Sequence, residues 1–138
     1  MDPASLRRIL FVCIENANRS QMAAAFARRD GAGVVEAHSA GSRPAPQVNP
    51  RTVEAMREVG IDISEERPQS LAEAPDVEYD VVVGMGCGDE ECPLVRARRR
   101  EEWGIPDPRA MTPEQFREVR DLIGRRVQEL LAALAAGG

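Results

Sequence analysis

The feature that most constrains this chain is the apolar run Ile9-Leu10-Phe11-Val12, which passes directly into a polar loop and then into the helix-like stretch Ser20 to Arg29. A short apolar run bounded by polar residues is the pattern of a strand buried on both faces. The connecting string is Cys13-Ile14-Glu15-Asn16-Ala17-Asn18-Arg19-Ser20. It places a thiol at the end of a strand and an arginine at the start of a helix, with five residues between them. A loop of that length can close around one tetrahedral oxyanion. Backbone N–H groups at a helix N-terminus favour negative charge, and the same field favours the thiolate over the thiol. Cys13 is therefore a candidate nucleophile and Arg19 a candidate anion ligand. A cation at a helix N-terminus opposes the dipole, and an anion held between Arg19 and the loop would offset that cost.

The rest of the pattern supplies a frame for this loop. Strands are expected at 8–13, 34–39 and 79–83, with a short fourth near 99–103. Helices are expected at 19–29, from Asn49-Pro50 to Gly60, and from Thr112 onward. Asn49-Pro50 offers an N-cap and a proline at the first helical position. Thr112-Pro113-Glu114-Gln115 has the form of a capping box. The stripe after it is Phe116, Val119, Leu122, Ile123, Val127, Leu130, Leu131 and Leu134. Residues 61–78, rich in acids and prolines, are expected to be irregular, with at most one helical turn near Leu71. The order predicts an α/β fold, a four-stranded parallel open sheet with helices on both faces and right-handed crossovers. In such sheets ligands bind outside the carboxyl ends of the strands. Cys13 follows the first strand and Cys87 the third, so both are expected at one edge of the sheet.

Composition narrows the function classes. The 138 residues suit one domain spanning 1–138. A net charge of -5 argues against nucleic acid as a partner. All 18 basic residues are arginine, which excludes a Walker-type phosphate loop and Schiff-base chemistry on lysine. No apolar stretch is long enough to span a membrane. The N-terminus lacks a signal-peptide core, which predicts a cytoplasmic location. The cluster Arg96, Arg98, Arg99, Arg100 reads as a solvated strand edge offset by Glu101 and Glu102. His38 reads as structural, and Trp103 as a packing anchor near Asp107.

The remaining chemistry lies in three residues. Asp107, between Pro106 and Pro108, is ordinary turn chemistry. It is also a carboxyl able to give a proton to a leaving oxygen. Cys87 and Cys92 bracket Gly88-Asp89-Glu90-Glu91. They admit three readings: half of a zinc site, inert thiols, or a redox pair. Zinc lacks enough nearby nitrogen or sulfur ligands. A redox pair needs Cα atoms roughly 4.4–6.8 Å apart, which a folded-back loop can reach.

Taken together, Cys13 through Ala23, Ser39-Ala40-Gly41, Gly60-Ile61-Asp62-Ile63-Ser64, Met85-Gly86-Cys87-Gly88-Asp89, Cys92-Pro93, Trp103-Gly104 and Asp107-Pro108 resemble the thioredoxin-coupled arsenate reductases built on the low-molecular-weight tyrosine phosphatase fold. The resemblance covers roughly residues 8–134. It implies that Ile14, Glu15, Asn16, Ala17, Asn18, Arg19 and Ser20 bind arsenate or a phosphate-like oxyanion. It implies that Cys13 attacks, Ser20 stabilises the thiolate and Asp107 protonates the departing oxygen. Cys87 and then Cys92 would carry the oxidation to a disulfide that external thioredoxin reduces. No bound cofactor and no metal are implied, and the partner expectations are thioredoxin, no nucleic acid, no membrane, and a monomer. Glu15 stands where a small residue is frequent, and Asn18 where a second loop cysteine is frequent. Ala24 and Gln69 stand where some relatives carry acids that help hold potassium, so no potassium site is expected. Two rivals remain: a phosphomonoester phosphatase using Cys13 and Asp107, and a protein that captures arsenite or a metal through three thiols.

Overall fold

The computed structural model describes residues 6–86 and 95–137. Four strands form a single all-parallel sheet in the order β2-β1-β3-β4. They are β1 (Arg7–Cys13), β2 (Val35–Gly41), β3 (Tyr79–Gly84) and β4 (Ala97–Glu102). Three helices accompany them: α1 (Arg19–Asp30), α2 (Pro50–Arg57) and α3 (Pro113–Gly137). β1 lies inside the sheet, between β2 and β3, and Ile9 through Val12 are fully buried, which is why it reads as unbroken apolar sequence. Its register runs from Arg7↔Val35 to Cys13↔Gly41 on one side and from Ile9↔Val81 to Val12↔Gly84 on the other. Because the strands are parallel, Cys13, Gly41, Gly84 and Glu102 all arrive at one edge.

The buried side chains of all three helices join Ile9, Phe11, Val81 and Val83 in the main core cluster. Met22 and Phe26 of α1 meet Ile123 and Val127 of α3 there. Each such side chain contributes about 1.5–3 kcal/mol by leaving water. On the other face, Leu10, Val12, Ala40 and Val82 pack with Leu71, Ala74 and Val77. Among the described residues that cover is made of turns at 71–73, because this acid- and proline-rich stretch supplies apolar groups without helical spacing.

The helix starts follow the local chemistry. Asn49 Oδ1 accepts from the Arg51 N–H at 3.0 Å, with Pro50 in the first turn. At α3, Thr112 Oγ1 accepts from Gln115 N at 3.2 Å while Gln115 Oε1 accepts from Thr112 N at 3.1 Å, a reciprocal capping box. The strand ends differ from expectation by one or two residues, most at β2 and β4. β2 continues to Gly41 because Cys13 pairs with that residue. β4 starts at Ala97, opposite Tyr79, two residues earlier than expected. The β4 arginines are solvated, as expected. Arg99 pairs with Glu101 at 2.9 Å, whereas Arg96 and Arg98 reach Asp76 at 3.2 Å and Glu78 at 3.3 Å. Trp103 is buried against Phe11, ring centroids 5.8 Å apart, and His38 Nε2 lies 2.9 Å from Glu36. No helix among the described residues is long and apolar enough to cross a membrane.

Glu58, just past α2, ties that helix to α3. It accepts from Arg117 Nε and Nη2, both at 3.0 Å, and from Arg120 Nη1 at 2.8 Å. The Arg117 hydrogen bond, with help from Arg120, holds its carboxyl below the usual value of 4.5. A depressed acid stabilises the fold fully above its unfolded value and loses that contribution as pH falls through its folded value. Glu58→Gln should therefore flatten the fall of thermal midpoint below pH 4.5 and lower the midpoint at pH 7. Equal slopes in both proteins would remove Glu58 from the account.

Candidate active site

The Cys13–Ser20 loop is shaped by where its carbonyls go. Cys13 O accepts from Ser42 N (3.3 Å), Ile14 O from Arg43 N (2.8 Å) and Glu15 O from Ala45 N (2.9 Å). Ala17 O accepts from Asn49 N (3.2 Å) and Asn18 O from Met22 N (3.1 Å). Asn16 O takes Gln21 Nε2 at 3.1 Å. Six successive carbonyls are thus bonded outside the loop. The N–H groups of Ile14 through Asn18 have no acceptor among the described residues. An arc of amides converging on a helix N-terminus is an anion cradle. Asn16 makes the turn at φ 53, the left-handed region that asparagine tolerates. Gly41 is required alongside, since a Cβ there would sit 2.6 Å from Ile14 O.

Within the arc, the Cys13 thiol is free and only 3 % exposed. Its Sγ lies 2.8 Å from Ser20 Oγ, and Ser20 Oγ accepts from Asn16 Nδ2 at 2.8 Å. Asn16 occupies one lone pair of that hydroxyl, whose hydrogen is free to point at sulfur. A thiolate can only accept, so this arrangement suits the ionised nucleophile. Asn16 is itself pinned. Its Oδ1 accepts from Gln69 N at 2.9 Å and Gln21 Nε2 at 3.1 Å, while Gln69 Nε2 donates to Ser39 O at 2.9 Å.

Arg19 is buried and clamped. Nη1 donates to Ile105 O at 3.0 Å, Nη2 stands 3.9 Å from Asp107 Oδ2, and Nε is buried without a protein partner among the described residues. Gly86, at φ 95, lies against the guanidinium so closely that a Cβ would collide with Nη1. Cys13, Ile14, Glu15, Ala17, Asn18, Arg19, Asp107 and Arg109 enclose a cavity of ≈ 90 Å³. Drug-sized ligands take roughly 300–1,000 Å³; this one suits a single small oxyanion.

The structure brings Cys13, Arg19, Ser20 and Asp107 together, although Asp107 is 94 positions from Cys13 in sequence. Asn16 and Ser20, expected among the substrate-binding residues, are fully buried and stand outside the cavity lining. Ser20 meets the Cys13 sulfur, and Asn16 meets Ser20. Cys87 and Cys92 lie outside the described residues. Among those residues no three His, Cys, Asp or Glu side chains gather as a metal site would need. Sequence reasoning missed the outer supports. Thr52 Oγ1 and Asn49 Nδ2 donate to Asn18 Oδ1 at 2.7 and 2.9 Å, and Arg51 bonds Arg109 O and Met111 O at 3.0 and 2.6 Å. The available signal was polar residues on inward helical faces: Thr52 is fully buried and Gln21 is 1 % exposed.

Asn16→Ala removes the pin between loop, Ser20 and Gln69 at a left-handed residue. It should cost about 2–3 kcal/mol in urea unfolding, as unmet buried hydrogen bonds do. Asn16→Gly should cost less, because it relieves the backbone but not the polar groups. Equal stability of Asn16→Ala and wild type would show the loop to be held elsewhere.

Known proteins carry the same frame. Residues 8–137 match the low molecular weight phosphotyrosine protein phosphatase family. A Synechocystis protein named glutaredoxin arsenate reductase is 36 % identical over 132 residues, covering 94 % of this chain and 100 % of that protein. A structure titled an arsenate reductase in the phosphate binding state superposes with TM-score 0.85 at 37 % identity, covering 94 % of this chain and 99 % of that one. The thioredoxin-dependent arsenate reductase of Corynebacterium glutamicum superposes with TM-score 0.80 at 30 % identity, covering 99 % of this chain and 66 % of that one. Match, superposition and cradle agree: this chain belongs to the low molecular weight phosphotyrosine protein phosphatase family.

Proposed function

We propose that this protein reduces arsenate to arsenite by a three-thiol relay, with Cys13 as nucleophile. The observation that carries the reading is the cradle itself: a buried thiol on Ser20, ringed by inward amides, with Arg19 clamped beside it. Arsenate is a tetrahedral dianion that amides and a guanidinium hold well. The relatives named as arsenate reductases add support.

The chemistry balances as follows. Cys13 thiolate attacks arsenic and forms an S–As bond, and an oxygen departs as water with a proton from Asp107. Arsenic is still As(V). Cys87 thiolate then attacks Cys13 sulfur, forming an S–S bond. The S–As bond breaks with its electron pair passing to arsenic, which leaves as arsenite. Cys92 attacks Cys87, releasing Cys13 thiolate and leaving a Cys87–Cys92 disulfide. An external dithiol reduces it by the same exchange chemistry. Thioredoxin is the reductant we assign, and the cytoplasm, where thiols are kept reduced, is the compartment. The protein acts as a monomer with no bound cofactor.

Ester hydrolysis is the second reading. It uses the same Cys13, Arg19 and Asp107, and the family's name favours it. The two differ over Cys87, because hydrolysis needs water where reduction needs a second thiol. Cys87→Ser should lower arsenate turnover with thioredoxin, thioredoxin reductase and NADPH by at least about 10³-fold, as loss of a nucleophile does. It should leave hydrolysis of p-nitrophenyl phosphate within about twofold, since that reaction's transition state does not involve it. Cys92→Ser should release about one arsenite per chain and stop as a Cys13–Cys87 disulfide, visible by peptide mass mapping. Sustained turnover in either variant would contradict the relay.

A further inference from the structure

Two charged side chains of the cavity wall have no place in the relay. Glu15 comes from the loop after β1 and Arg109 from the loop after β4, and both line the cavity with Cys13, Arg19 and Asp107. Arg109 Nη1 stands 3.3 Å from Glu15 Oε1. The two side chains are 63 % and 39 % exposed, whereas that of Arg19 is 10 % exposed. Arg19 and Cys13 therefore form the floor, and the Glu15–Arg109 pair joins opposite walls at the outer level.

The backbones behind the pair are fixed. Glu15 O accepts from Ala45 N at 2.9 Å. Arg109 N donates to Asp107 Oδ1 at 3.0 Å, and Arg109 O accepts from Arg51 Nη1 at 3.0 Å. Only the two side chains need to move for the pair to open, and exposed pairs of this kind open easily.

We propose that the Glu15–Arg109 ion pair is a strap across the mouth of the Cys13 cavity that makes the site selective for a free tetrahedral oxyanion over an oxyanion ester. The inference rests on the oxyanion reading of the site and adds a specificity determinant to it. A free oxyanion enters while the pair is briefly open and then fits wholly beneath it. An ester places its organic group through the mouth and keeps the pair apart for as long as it is bound. The pair thus penalises esters by the free energy of its own rupture. Its two charges cancel, so it does so without changing the net charge of the site.

That cancellation gives the test. In the reduced full-length protein, p-nitrophenyl phosphate hydrolysis is measured with inorganic phosphate, a free oxyanion that the thiols cannot reduce, as a competitive inhibitor, for wild type, Glu15→Ala, Arg109→Ala and the exchanged pair Glu15→Arg/Arg109→Glu. The readout is kcat/KM for the ester multiplied by Ki for phosphate. A strap predicts that both single variants raise this product by about fivefold, the size of an exposed ion pair's contribution. The exchanged pair should return it toward wild type. A purely electrostatic role predicts that Glu15→Ala tightens ester and phosphate together and Arg109→Ala weakens both, with the product unchanged. That result would overturn the strap, as would an exchanged pair no better than the singles. Binding of inorganic phosphate to the reduced wild type, read first by calorimetry, does not depend on the strap, because a free oxyanion fits beneath it. Absence of that binding would remove the oxyanion reading beneath it, and the strap with it; hydrolysis absent from both single variants as well as from wild type would overturn the strap alone.

Discussion

Six carbonyls, from Cys13 to Asn18, find their hydrogen-bond donors outside the loop, and the site depends on that fact. A peptide plane that turns its C=O outward turns its N–H inward. Once these oxygens are bonded to 42–45, Asn49, Met22 and Gln21, the amides have only the cavity to face. The electrostatics of the site are thus set by backbone direction before any charged side chain is counted. Arg19 then adds a full positive charge at the end of an arc already prepared for an anion.

The supports come from separate parts of the fold, so the cradle is a product of the whole sheet edge. β2 brings Gly41 close beneath the loop, where no Cβ would fit. The segment before β3 returns to hold Asn16 through Gln69. β3 continues to Gly86 against Arg19, and β4 leads into Ile105 and Asp107, which also meet the guanidinium. Trp103, packed on Phe11 of β1, fixes the start of that last approach. The parallel topology is what makes this convergence possible, since all four strands deliver their carboxyl ends to one place.

Much of this was legible in the chain. The unbroken apolar run of β1, the Asn49-Pro50 start and the Thr112 capping box each express one local physical preference, and each produced the element expected. Cys13, Arg19, Ser20 and Asp107 were legible because thiol, guanidinium, hydroxyl and carboxyl carry chemistry wherever they stand. What sequence could not show was pairing across distance. Gln69 looked like part of an irregular stretch, and Thr52 like one helix residue among others. Their roles depend on the tertiary closeness of residues 53 positions apart for Gln69–Asn16 and 34 apart for Thr52–Asn18. Glu15 and Arg109, 94 positions apart, are the same kind of case. Asn16 and Ser20 show another limit: sequence places a residue in a loop but does not say whether its side chain lines the cavity or, as here, is buried outside the lining.

The central claim is that the amides of the Cys13–Ser20 loop, turned inward by their outward carbonyls, hold the oxyanion. It is tested most directly by titrating inorganic phosphate into the reduced, ¹⁵N-labelled protein and following the backbone amide resonances. The account predicts saturable downfield proton shifts at Ile14 through Arg19, with amides at the amino-terminal ends of the strands unmoved. Saturable phosphate binding that leaves those loop amides in place would contradict it.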